Sequence, residues 1–162
     1  MALASQNDKK TKRSASSGKL TYRQSLEIIG RYFDQQHYRG IFVAEVAEGF
    51  VGKARPATQE VDLHAEGFTF PLDDLRALAT DASVPPVLVE DGPPFCPDGY
   101  SVFMRTVGAW CDKQSASLVS LLEMEAGFIL SYTESHNGVS TRQRIVLDRA
   151  AIEDMMNEAD GL

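Results

Sequence analysis

The sequence predicts an α+β protein made of two tandem αβββα repeats. A pseudo-twofold axis relates the repeats, and antiparallel strands carry the helices mainly on one face. Three observations lead there. The chain aligns with itself at an offset of 78 residues, each aligned copy passes from helical to strand-like apolar spacing in the same order, and a proline-rich stretch separates the copies.

The self-alignment is collinear. Tyr22, Gly30, Asp34 and Gln36 meet Tyr100, Gly108, Asp112 and Gln114. Glu45, Gly49 and Phe50 meet Glu123, Gly127 and Phe128. Between these identities apolar residues meet apolar residues: Leu26 and Met104, Ile29 and Val107, Ile41 and Val119, Val43 and Leu121. After a one-residue gap, F68-T-F-P-L-D-D-L75 meets I145-V-L-D-R-A-A-I152. A series of this kind through several elements points to duplication.

Each element has its own local reason. Tyr22, Leu26, Ile29 and Phe33 recur at helical spacing, as do Tyr100, Met104, Val107 and Cys111. Thr21 is the expected N-cap of the first helix, and Asp98 or Gly99 of the second. Two strands follow on either side of a Gly-Phe turn, I41–V46 and F50–A54, repeated as L118–M124 and F128–Y132. The glycine supplies positive φ for the turn, and the phenylalanine restarts the next strand. A third strand runs over 61–70 and 140–147, and a closing helix follows Pro71 and Asp148.

The expected organisation is a basic tail over 1–20, one repeat over 21–82, a connector over 83–98 and a second repeat over 99–160, the repeats packing as one globular unit. Five of the seven prolines lie at 85, 86, 93, 94 and 97, which makes the connector extended rather than helical. A lone three-stranded sheet has an open edge and little core. Pairing the copies cures both defects, either as one six-stranded sheet or as two stacked ones, and the sequence is compatible with each.

With 162 residues and a 43% hydrophobic fraction, the chain can bury a sizeable core. No apolar run approaches the roughly 18 residues of a membrane span, and the N-terminus lacks the apolar region of a secretory signal. A transit peptide is the lesser reading of its Ser- and Lys-containing start. A cytoplasmic location is expected. Cys96 and Cys111 occupy unrelated contexts, one in the connector and one on an apolar stripe, and read as free thiols. The net charge is -7, but the first 23 residues carry +5 and the remainder -12. An acidic body disfavours nucleic acid and anionic lipid, so only the tail is suited to either.

Glu45 and Glu123 are the leading binding candidates, because a twofold axis would bring equivalent carboxylates together to share a proton or a ligand. The competing reading has each glutamate ending its strand and accepting from the turn that follows. Tyr32 and Trp110 occupy equivalent helix positions beside the core stripe and are candidate aromatic contact patches. Asp62, His64 and Glu66 alternate, so a strand would set all three on one face as candidate metal ligands. Their spacing of about 7 Å along one strand converges poorly on a single ion. Gly30 and Gly108 sit mid-helix and suggest close helix approach. No phosphate-cradling glycine motif is present, and no cofactor is expected.

The leading functional expectation is a non-catalytic binding or adaptor module. It would engage a protein or small ligand through the sheet face or the cleft between repeats. The alternative is a metal-dependent hydrolase using Asp62, His64 and Glu66 with Glu45 or Glu123 as base. A third is nucleic-acid tethering through the basic tail.

Overall fold

Thr21 starts the first helix with a reciprocal cap. Its hydroxyl accepts from the Gln24 N–H, and the Gln24 side chain accepts from the Thr21 N–H, each at 3.1 Å. The computed structural model describes residues 20–57, 65–79, 93 and 95–160. The basic tail and most of the connector lie outside these residues.

The elements run α1 (Tyr22–Gln35), β1 (Tyr38–Val46), β2 (Gly49–Pro56), β3 (Glu66–Pro71), α2 (Leu72–Ala79), α3 (Tyr100–Lys113), β4 (Ser117–Met124), β5 (Gly127–His136), β6 (Val139–Leu147) and α4 (Arg149–Asp160). The fold is therefore α+β. The six strands among the described residues form one antiparallel sheet, in the order β3-β2-β1-β4-β5-β6, and not two stacked sheets. The central ladder joins β1 to β4, with Phe42 opposite Leu122, Val43 opposite Leu121 and Ala44 opposite Ser120.

The closing helices begin directly after Pro71 and Asp148, α2 at Leu72 with Pro71 ending β3 and α4 at Arg149. The strand expected to end at Tyr132 continues instead to His136. Asn137 and Gly138 both take positive φ, at 53° and 80°. That is the two-residue hairpin turn whose twist matches the flanking strands, so the ladder runs uninterrupted to it.

Alternation along the strands sends Val43, Phe50, Ala54, Leu121, Phe128 and Leu130 into the core beneath the helices. Helix side chains pack on this face: Phe103 stacks near Phe128 at 4.3 Å, Trp110 meets Tyr132 at 5.4 Å, and Tyr32 meets Phe68 at 5.4 Å. One hydrophobic cluster spans both halves of the chain.

The helices α1 and α3 lie antiparallel and in close contact. A Cβ added at Gly30 would sit 2.7 Å from the Tyr100 carbonyl oxygen, and one at Gly108 would meet the Tyr22 carbonyl. Only glycine allows the two backbones this near each other. Each helix also caps the other. Asp34 accepts from the N–H groups of Tyr100 and Ser101 at 2.8 and 3.0 Å, and Asp112 accepts from those of Tyr22 and Arg23 at 2.9 and 3.1 Å. These donors are the orphan amides that every helix start leaves open. Gly99, at the N-cap of α3, has no side chain to satisfy them. Burial lifts the Asp34 carboxyl above its ordinary range, and the two backbone donors work against that rise.

Candidate interaction face

The strand carboxylates all turn toward the helices. Glu45 follows the parity of buried Val43, Glu123 that of Leu121, Glu134 that of Leu130, and Glu66 faces buried Ala54. Glu45 Oε1 accepts from the Tyr22 hydroxyl at 2.6 Å and from the Val119 N–H at 3.0 Å. Glu123 Oε1 accepts from the Tyr100 hydroxyl at 2.6 Å and from the Ile41 N–H at 3.0 Å. Each glutamate thus binds a tyrosine of its own half and a strand amide of the other.

The register around Val43 and Leu121 separates the two glutamates by about four residues of strand, roughly 13 Å. They stand at opposite ends of the central ladder. The donors to each come from across that ladder and from the helix above it, and not from the following turn. Strand amides 41 and 119 lie beside equivalent irregularities, between Arg39 and Phe42 and between Ser117 and Ser120. The glutamates occupy the donors that a bulge removes from the ladder.

Tyr32 and Trp110 are half-buried helix-side residues. Tyr32 packs among Phe33, Tyr38, Phe68 and Phe70, with Trp110 against Tyr132. Of the three proposed metal ligands, Asp62 and His64 lie outside the described residues. Glu66 accepts from the Tyr38 hydroxyl at 3.0 Å. No group of three or more His, Cys, Asp or Glu side chains comes together among the described residues.

Cys96 and Cys111 are both buried, and both are free thiols. Phe95 and Pro97 lie alongside Cys96 on the rim of a cavity of about 350 Å³. Val102, Ile152 and Met156 line the same cavity, with the Arg149 guanidinium 5.2 Å over the Phe95 ring. Burial raises both thiol pKa values, that of Cys111 to about 12. Both sulfurs are therefore protonated near neutral pH and poor nucleophiles.

The sheet face turned away from the helices is of a different kind. Its register joins Phe42, Leu122, Ile129 and Val146 as successive cross-strand neighbours, one apolar row over four strands, with Lys53 next in line on β2. Leu122 is 38% exposed, Val146 65%, and Met124 beside them 48%. The neighbouring row reads Val51, Ala44, Ser120, Ser131 and Arg144. Parity also sets Arg55 and Arg142 on this side. The open face thus combines a band of apolar side chains with Lys53, Arg55, Arg142 and Arg144, on a chain of net charge -7. Glu48 and Glu125 stand in the turns at opposite ends of the sheet.

Sequence reasoning singled out the glutamate pair and named a sheet face as a binding surface, but it did not find the residues of this row. The apolar residues of the row lie far apart in the chain and become neighbours only through register. The available signal was the unusual filling of alternate strand positions, where Phe42, Leu122, Ile129 and Val146 replace the polar residues of an ordinary solvated face. No helix is long and apolar enough to cross a membrane among the described residues. No family model matches the chain, and neither a curated protein nor a solved structure matches it.

Proposed function

We propose that the chain is a non-catalytic protein-binding module. It is a fused pair of αβββα copies that lends its open sheet face to a partner. The observation that carries this reading is the apolar row Phe42–Leu122–Ile129–Val146 on the side opposite the helices, exposed at Leu122 and Val146 and half-buried at Phe42 and Ile129. Exposed apolar side chains in a contiguous band are the usual mark of an interaction surface.

The fused-pair reading is supported by contacts that recur 78 residues apart. The Glu45 and Glu123 interactions correspond, the Asp34 and Asp112 caps correspond, and the Gly30 and Gly108 approaches correspond. The strand order reads the same from both edges when each half is counted from its first strand. In such a pair the inward carboxylates serve assembly of the body, which leaves the opposite face for binding.

The test is affinity capture from an extract of the source cells, comparing the wild-type chain with Leu122→Glu/Val146→Glu. A partner retained by the first and lost by the second is the expected result. Equal capture by both removes the sheet face as the binding surface. Circular dichroism melts of both proteins establish that the comparison is between folded chains.

A further inference from the structure

We infer that the segment bound on the open face is an acidic amphipathic helix, lying across the strands beside the Phe42–Leu122–Ile129–Val146 row; this rests on the sheet face being a protein-binding surface. Charge sets the sign. Every strand carboxylate points to the helix side, while Lys53, Arg55, Arg142 and Arg144 share the side of the apolar row. A partner with apolar residues flanked by Asp or Glu meets both features at once. A second copy of this chain would bring the same cations against one another, which disfavours face-to-face self-association.

Shape sets the kind of segment. The row crosses three strand spacings, about 14 Å, which matches roughly ten residues of α-helix. Beside it, Ala44, Ser120 and Ser131 form a floor of small side chains between the apolar row and the end of the sheet that carries Arg142. A helix can settle there because its backbone bonds are made internally. An extended segment on a sheet face would find side chains and no ladder for its own N–H and C=O groups.

Two other surfaces fit less well. A twisted six-stranded sheet meets a planar bilayer over only part of its area, and the acidic remainder of the chain opposes anionic lipid. A single-stranded nucleic acid needs aromatic platforms for its bases, and Phe42 is the one aromatic side chain in the row.

The experiment uses the full chain and fluorescence anisotropy. Its probe is a labelled synthetic helix of about 14 residues, with leucines at i, i+3, i+4 and i+7 and glutamates on the flanks. A twin carries lysine for every glutamate. The Glu helix is expected to bind about tenfold or more tighter than its twin. Its affinity should fall as salt rises from about 50 to about 500 mM. Lys53→Glu/Arg144→Glu should reverse the preference toward the Lys helix, and Leu122→Glu/Val146→Glu should abolish binding of both.

Equal binding of the two helices, or Glu-helix binding untouched by Leu122→Glu/Val146→Glu, overturns the inference. So does binding of phosphatidylserine-containing vesicles by a chain that ignores the Glu helix. If the peptide fails while cellular capture still depends on Leu122 and Val146, the partner class is wrong and the binding face stands. If that dependence is also missing, both fall.

Discussion

Glu45 holds the Tyr22 hydroxyl at 2.6 Å, and the same carboxylate oxygen holds the Val119 N–H at 3.0 Å. One side chain therefore ties α1 to β1 and β1 to β4. Burial and the Glu45 carboxylate both hold the Tyr22 phenol protonated, well above the usual tyrosine range. Glu123 makes the corresponding set with Tyr100 and Ile41.

Glu45→Ala should destabilise the chain by about 3 kcal/mol, because two partly buried donors lose their acceptor. Tyr22→Phe should cost only about 1 kcal/mol, since Glu45 keeps the Val119 N–H. Urea denaturation of the two single variants and the double variant measures their coupling. A double variant equal to the sum of the singles would show that the hydrogen bond contributes nothing to stability.

The reciprocal caps predict matched losses. Asp34→Ala and Asp112→Ala should each cost about 1–2 kcal/mol, as each leaves two helix-start amides without their acceptor. The Asp34→Ala loss should be the more resistant to added salt, because Asp34 is buried. Denaturant midpoints at low and high salt check both statements.

Gly30→Ala inverts the usual propensity argument. In an exposed helix this change gains up to about 1 kcal/mol. Here the new methyl would lie 2.7 Å from the Tyr100 carbonyl oxygen, so α1 and α3 must separate. A net loss of about 1–3 kcal/mol is expected, and likewise for Gly108→Ala. A raised Tm in either variant would contradict the close packing of these helices.

Alkali should unfold the chain through its buried phenols. Burial, with help from Glu66, raises Tyr38 to about 12, against about 10 in an unfolded chain. The folded state therefore binds the proton more tightly. Its stabilising effect is complete below about pH 10 and is lost as the pH rises toward about 12. Tyr22 and Tyr100 are shifted in the same direction. Tyr38→Phe should lose less stability than the wild type between about pH 10 and 12, measured by denaturant midpoint at each pH.

Much of the architecture was legible because its signals are local. Thr21 and Gln24 announce a capped helix three residues apart, and Leu26, Ile29 and Phe33 mark its buried stripe. The paired glycines Gly49 and Gly127 take positive φ, as the turn reading requires. The overlooked Asn137-Gly138 turn was also local and could have been read. The glutamates were recognisable as a matched pair, but their partners were not. Val119 lies 74 residues from Glu45, and Ile41 lies 82 from Glu123.

By itself the sequence determined the order of helices and strands, the α+β class and the side chains available for an inward face. Those follow from periodicity, caps and turn chemistry over a few residues. Only the tertiary structure decided that six strands make one sheet and that Phe42, Leu122, Ile129 and Val146 line up on its side turned away from the helices. The physical reason is register: sliding one strand by a single residue turns all of its side chains to the opposite face, and that choice is made by packing between segments distant in the chain.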